Sequence, residues 1–455
     1  MGSDNLMKKI SKFTVDHSKN IRDVMRQISI NKKRIVFVIN KNKKVLGTLT
    51  DGDVRRYLLK KGKIKDLASK AMNINFKYVK DSEEAESVLK LLDQKYEFIP
   101  VLGSKGELQN IIDREDFNIQ DKQKIIRSRS PARISLAGGG TDITKYFFDR
   151  GGAGVSLTIN KYCNVHLIKR DDKNIHISSN DYGKKILIKD VNKIRYNGNL
   201  DIVKSCIKLL KPNFGFDMYI ESDVKPGSGL GGSAAVSSAV IGAINYLQSR
   251  KLNKYEIAEL AFRAERIELN ILGGWQDQYS TVFGGCNLME FKKSANLIQT
   301  LSLPNNILDE LERRFILCYT GSPHSGAAIQ KKNEKNAKLI QNGEKLKHLV
   351  DEIKTELLRG RVKNIGSLIY EGWRIKKSLD RKNYNKKILD IEKKLLGKKL
   401  AKGCRLLGTG GGGYMLFFIE PQNWFNFINK IKKLKLSYLH VKFDLEGLKV
   451  WEADL

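Results

Sequence analysis

The chain is poor in cysteine and in acidic residues, and it has no long apolar run. Its five cysteines (Cys163, Cys206, Cys286, Cys318 and Cys404) are scattered, odd in number and form no CxxC pair. This pattern excludes a disulfide framework and a cysteine-based zinc site; it fits a reducing cytosol, so a cytoplasmic location is expected. Cys286, inside GGCNLMEF, is expected to be an ordinary core residue. No stretch of about 18 or more apolar residues occurs, and the lysine-rich N-terminus lacks the apolar centre of a leader peptide, so neither a membrane span nor a secretory signal is expected. Asp and Glu number 50 against 83 Lys and Arg, a net charge of +33. That surplus raises the question of nucleic acid. Lysine far outnumbers arginine and is spread over the whole chain, and no arginine cluster is interleaved with aromatics, so no nucleic-acid partner is expected. The charge instead favours anionic, phosphorylated substrates.

What is present begins with glycine. At 455 residues, 41% hydrophobic and 29% charged, the chain is long enough for two or three domains with their own cores. Residues 226–247 read PGSGLGGSAAVSSAVIGAINYL, a glycine-rich turn running into an apolar segment of helical spacing. Gly227, Gly229, Gly231 and Gly232 let the backbone approach an anion, and the helix would aim free N–H groups and its positive dipole end at it. No GK[ST] ending follows, so the anion must be held by backbone and by serine hydroxyls. The predicted cradle is Gly227, Ser228, Gly229, Leu230, Gly231, Gly232, Ser233 and Ala234.

Two further glycine-rich turns lie on either side. SPARISLAGGGTD (130–142) ends an apolar strand on three glycines and delivers Thr141 and Asp142 to a turn; GCRLLGTGGGGYMLFF (403–418) places Gly410 to Gly413 between two apolar runs. The trio, in this order, resembles the GHMP kinase superfamily over about residues 127–455. A fourth segment, AERIELNILGGWQDQYSTVFGGCNLMEF (264–291), is similar to the branch that phosphorylates the anomeric hydroxyl of D-glycero-D-manno-heptose 7-phosphate. The resemblance implies ATP and Mg²⁺, a two-lobed α+β fold, and a place in nucleotide-heptose and surface polysaccharide synthesis. Many heptose-phosphate kinases have lysine where this chain has Trp275. A tryptophan there can stack on a sugar but cannot pair with a phosphate, and GGWQDQ also occurs in fucokinase-like enzymes, so an L-fucose or other hexose 1-kinase is the alternative. A non-catalytic, nucleotide-sensing regulator is a third reading.

Phosphoryl transfer needs a nucleotide cradle, neutralisation by a metal and a group to take the hydroxyl proton. By the resemblance, Asp277 in GGWQDQ is the base, and Arg133 either stabilises the transferring group or pairs with Asp277. Ser233 and Glu265 are the metal ligands, with Glu268, one helical turn on, as the alternative to Glu265. The bland alternative for Ser233 is helix capping. Thr141, Asp142, Gly410, Gly411, Gly412 and His324 are expected near the sugar; His324 reads equally well as an ordinary loop residue.

The first 120 residues repeat with an offset of 63. RIVFVINKNKKVLGTLTDGDVRRYL (34–58) aligns with EFIPVLGSKGELQNIIDREDFNIQD (97–121), each copy reading strand, turn, strand, acidic turn and helix. Two such units must bury their apolar faces against each other. They resemble a CBS-domain pair, which implies that Thr50 and Asp53 of copy one and Asp113 and Asp116 of copy two hold an adenine nucleotide effector. Copy two departs, with Asn110 for glycine and Asp113 for threonine. A purely structural or dimerising pair stands beside the sensing reading, and a homodimer is expected. The predicted organisation is a α/β CBS pair over 1–120, a polar linker over 121–129, and kinase lobes over 130–320 and 321–455. Mixed strands and helices without regular alternation predict an α+β fold for the kinase.

Overall fold

The computed structural model describes residues 10–83, 85–94, 96–114, 124–321, 337–379, 384–408 and 411–455. The chain divides into two compact units, Met1–Asp121 and Lys122–Leu455.

The first unit holds two small sheets of one design. Thr14–Asp16 runs parallel to Ile35–Ile39, which pairs antiparallel with Val45–Thr50. Val79–Lys80 runs parallel to Phe98–Leu102, which pairs antiparallel with Leu108–Asp113. A bulge interrupts each hairpin, at Val38/Ile39 and at Val101/Leu102, positions that differ by the 63-residue offset of the repeat. The helices are set by local chemistry. Asn20 and Asp23 form a capping box ahead of Ile21–Asn31, and Thr50 and Asp53 form another ahead of Asp51–Leu59. Phe13, Phe37 and Val45 from copy one pack with Phe98, Leu102, Leu108 and Ile111 from copy two, so the repeat buries its apolar faces mutually.

The second unit is built on an eight-stranded sheet. Its axis is the 19-residue strand Gly152–Arg170, whose neighbours include Lys124–Ala137, Gly215–Ser222 and Cys286–Phe291. A four-stranded antiparallel sheet follows the order Gly403–Leu406, Tyr414–Phe418, Phe315–Tyr319, Tyr438–His440. The helix Gly232–Leu247 is buried on most of its circumference, which explains a sequence of small and apolar residues with no polar face. This is the mixed α+β arrangement expected. Among the described residues, no helix is long and apolar enough to cross a membrane.

Two boundaries differ from the sequence reading. Residues 124–129, expected as linker, are the start of the strand Lys124–Ala137. Ile125, Ile126, Ser128 and Ser130 are buried, while Arg127 and Arg129 take the alternate, more exposed positions. Serines at inward positions and arginines between them give a polar segment that is nonetheless a strand. The last strand, Lys449–Asp454, lies not with the C-terminal sheet but antiparallel to Lys124–Ala137, so a division at 320/321 does not separate the two sheets. The helix expected over 326–358 is described over Ala337–Leu358.

Candidate active site

The phosphate loop is shaped by backbone that only glycine adopts readily. Gly227, Gly229 and Gly231 have φ of 71°, 78° and 76°. A Cβ on Gly229 would stand 2.6 Å from the Leu407 carbonyl oxygen, so the loop is pressed against the segment that follows Gly403–Leu406. Gly231 is the N-cap of Gly232–Leu247, and no side chain caps that end. Ser233 therefore does not act as a cap. The N–H groups of the first turn are left for an anion, with the helix dipole behind them.

This loop forms one wall of a cavity of about 1340 Å³. The volume exceeds the roughly 300–1,000 Å³ usual for one small ligand and leaves room for two substrates. Gly227, Ser228, Gly229, Gly231, Gly232 and Ser233 line it, as do Arg133, Asp142, Asp277, Lys376, Arg405 and Gly412. Leu230 and Ala234 are buried under the loop instead; the Leu230 carbonyl accepts a hydrogen bond from the Arg133 backbone N–H at 2.9 Å.

Arg133 and Asp277 meet in this wall, although 144 residues separate them. Arg133 Nε and Nη2 both donate to Asp277 Oδ1, at 2.9 and 2.6 Å, and Nη1 donates to the Gly229 carbonyl at 2.6 Å. One buried guanidinium thus ties the carboxylate to the phosphate loop. Asp277 Oδ2 has no hydrogen-bond partner among the described residues, and the side chain keeps 24% exposure. Asp142 stands against the segment that leads into Asp277, accepting from the Gly140 N–H at 2.9 Å and the Gln276 N–H at 3.3 Å. Gly274 packs so closely on it that a Cβ would fall 1.9 Å from Oδ2. Burial, with the nearby charge of Asp277, pushes the Asp142 carboxyl above its ordinary range.

Glu265 stands behind the loop rather than on the cavity wall. It is carried by a π-helical turn, Arg263–Glu268, which continues the helix Lys254–Phe262. Such turns are rare and re-aim side chains. Its Oε1 accepts from Ser237 Oγ at 3.3 Å and Gln278 Nε2 at 2.9 Å. Its Oε2 and Gln278 Oε1 are buried with no hydrogen-bond partner, and Arg266 Nη1 stands 3.6 Å from Oε2. An orphaned carboxylate oxygen beside the helix that carries Ser233 fits a hard divalent cation. Glu268 is already engaged, by Tyr196 Oη at 3.1 Å and Lys208 Nζ at 3.6 Å.

Several predicted residues fall elsewhere. Thr141 is fully buried, and its hydroxyl is taken up by the backbone of Gly138 and Ala153, so it braces the turn and does not reach the cavity. Gly411 does not line the cavity, whereas Gly412 does. Gly410, His324 and Asp116 lie outside the described residues. Trp275 is no sugar platform: its ring stacks on Phe262 with centroids 3.6 Å apart, and Nε1 donates to Thr144 Oγ1. The aromatic neighbours Phe262 and Tyr279 draw it away from the cavity.

Among the cavity residues that the sequence reading missed are two enclosed cations. Lys376, on the helix Ile365–Leu379, donates to the Gly408 carbonyl at 2.6 Å. It keeps some exposure to the cavity, yet its ammonium is enclosed by protein; burial, with Arg405 beside it, lowers it to about 7. Arg405 is 5% exposed and donates through Nη1 to the Leu136 carbonyl. Burial and Arg133 lower it to about 10. The only signal was a basic residue inside the apolar run GCRLL; in a lysine-rich chain Lys376 gave none.

In the first unit, Thr50 and Asp53 hold each other. Thr50 Oγ1 donates to Asp53 Oδ2 at 2.7 Å, and Arg56 binds Asp53 Oδ1 at 2.6 Å. Asp113 of copy two is buried and pairs with Lys33 of copy one at 3.2 Å.

Comparison with known proteins agrees with this geometry. Residues 201–285 match the GHMP kinases N terminal domain, and residues 4–60 match the CBS domain. The chain is 33% identical over 337 residues to the D-glycero-alpha-D-manno-heptose 7-phosphate kinase of Campylobacter jejuni, covering 72% of this chain and 99% of that protein. It is 28% identical to the L-fucokinase/L-fucose-1-P guanylyltransferase of Bacteroides fragilis, covering 66% of this chain and 35% of that longer protein. A crystal structure described as a D-glycero-D-manno-heptose 1-phosphate kinase from Bacteriodes thetaiotaomicron superposes with a TM-score of 0.61 at 27% identity, over 72% of this chain and 98% of that one. The chain belongs to the GHMP kinase family. It is an ATP-dependent sugar kinase with a CBS domain at its N-terminal end.

Proposed function

We propose that the chain transfers the γ-phosphoryl group of ATP to the anomeric hydroxyl of D-glycero-D-manno-heptose 7-phosphate, giving the 1,7-bisphosphate for nucleotide-heptose and surface polysaccharide synthesis. The observation that carries this reading is the 33% identity extending over 99% of the Campylobacter jejuni heptose 7-phosphate kinase. The site chemistry supports it.

Asp277 is the acceptor of the hydroxyl proton. Arg133 fixes Oδ1 from two nitrogens and leaves Oδ2 free, so one oxygen is held and the other is available. As the O–H proton moves to Asp277, the sugar oxygen bonds to the γ-phosphorus, the bridging P–O bond breaks and ADP leaves with that electron pair. The anomeric hydroxyl is more acidic than an ordinary alcohol, so a carboxylate suffices as base. Asp142 accepts from sugar hydroxyls and orients the ring. The phosphate loop and the N-terminus of Gly232–Leu247 hold the nucleotide, with Ser228 and Ser233 contributing hydroxyls. Mg²⁺ would neutralise charge on the phosphate oxygens, and Ser233 and Glu265 are the residues that would hold it.

The CBS pair is read as the regulatory or dimerising part of a homodimer, with an adenine nucleotide as the class of effector. The test of the main reading is ADP release from MgATP by the purified full chain across free and phosphorylated sugars, with phosphorus NMR to locate the new phosphate. Turnover of the heptose 7-phosphate at C1 is expected. Turnover restricted to L-fucose or free hexoses would replace the substrate and keep the reaction.

A further inference from the structure

Arg405 and Lys376 form a pair of cations that the phosphoryl-transfer machinery does not use. Both line the cavity, and among the described residues no carboxylate stands within ion-pair distance of either. Arg133, the third cation nearby, is already matched by Asp277. The Arg405 Nε is buried without a hydrogen-bond partner. Two like charges placed side by side and enclosed, with Asp142 and Asp277 nearby but neither in direct contact, favour an anion that joins them.

Their position selects which anion. Arg405 donates to the Leu136 carbonyl, and a Cβ on Gly139 would stand 3.7 Å from its Nη2, so it lies against the strand and turn that present Asp142. Lys376 reaches from the helix Ile365–Leu379 to the Gly408 carbonyl and lines the same cavity. The nucleotide end already has its own anion cradle in the phosphate loop. Trp275 is stacked on Phe262 and offers no charge.

We propose that Arg405 and Lys376 bind the phosphate monoester carried by the acceptor sugar, and so select a phosphorylated over an unphosphorylated substrate. This rests on the reading of the acceptor as a sugar phosphate. A guanidinium suits it because its planar fork can present two N–H groups to one phosphate, while the lysine adds a point charge.

The test begins with binding alone. The full chain is titrated calorimetrically with D-glycero-D-manno-heptose 7-phosphate in the absence of ATP, as wild type, Arg405→Gln and Lys376→Met. Each substitution is expected to weaken binding at least about tenfold, of the order found for a charge-assisted contact. Binding within twofold of wild type in both variants, or no binding by wild type, overturns the proposal. Lys376→Met guards against misfolding of the buried Arg405 variant. Kinetics supply the second arm. The ratio of kcat/KM for the 7-phosphate to that for the unphosphorylated heptose should fall in both variants. An equal loss on both sugars, or an effect confined to the KM for ATP, assigns the pair to ring positioning or to the transferring phosphate and overturns the proposal. The two readings fail separately: tight, variant-sensitive binding of the 7-phosphate with turnover only of a free hexose removes the proposed function and leaves the anion site standing.

Discussion

The two ends of the cavity are built from different materials. At the nucleotide end the binding groups are backbone: positive-φ glycines, an uncapped helix terminus and two hydroxyls within one short segment. At the proposed acceptor end the candidate groups are side chains, Asp142, Lys376 and Arg405, drawn from three distant segments and held by carbonyls and N–H groups of their surroundings. A backbone cradle fits the part of the reaction common to every nucleotide-dependent phosphoryl transfer. A side-chain site can be altered one residue at a time, which is where substrate choice can change while the fold stays the same.

That contrast can be broken at its junction. Asp277 sits between the ends, so Asp277→Asn should lower kcat by about 10²–10⁴-fold, with the KM for ATP nearly unchanged, as read by steady-state kinetics. A parallel rise in ATP KM would make Asp277 part of the nucleotide end. The next largest effect is expected at the cradle. Gly229→Ala places a side chain on a φ of 78° and against the Leu407 carbonyl. The backbone conformation alone should cost about 1–2 kcal/mol of stability. A lower Tm and weaker ATP binding should appear together, and an unaltered Tm would show that the loop is not seated on the 407–408 segment.

A third test sharpens the proposed acceptor end. Lys376 is lowered from 10.5 to about 7 in the folded chain, amid Arg405, Asp142, Arg133 and Asp277. Between about pH 7 and 10.5 the unfolded chain therefore holds a proton there that the folded chain has released, and this group's contribution makes stability rise with pH across that window. Lys376→Met should flatten that part of the profile in denaturant titrations without sugar or nucleotide. An unchanged slope would mean that the ammonium is not enclosed.

The same contrast explains what the sequence disclosed. The phosphate loop was legible because its groups are contiguous and glycine is a direct record of backbone shape. The Asp277–Arg133 pair was foreseen as one of two roles for Arg133 through motif resemblance, not through spacing. Arg405 and Lys376 were not seen, because a basic residue in a chain of 83 Lys and Arg carries no information until the fold places it. Trp275 failed in the opposite sense: its sequence neighbours are glycines and polar residues, and the ring that captures it, Phe262, is on another helix. The strand over 124–137 was half hidden, since Ser128 and Ser130 occupy buried positions where an apolar residue would have announced a sheet. In the first unit the 63-residue repeat was legible and the bulges found in the structure keep its offset, while Asp113, expected beside a nucleotide, pairs with Lys33 across the repeat.

The pairing of Lys124–Ala137 with Lys449–Asp454 has a consequence for how the chain is made. Lys124 opposes Asp454 in register, so the first strand of the kinase unit leaves the ribosome long before its neighbour exists. Until Lys449–Asp454 emerges, one side of that strand has an unsatisfied edge. The first unit, compact within its own residues, can fold during that interval, whereas the kinase closes this side of its sheet only once Lys449–Asp454 has been made. Truncation near the C-terminus would therefore act at the start of the sheet rather than trim its periphery.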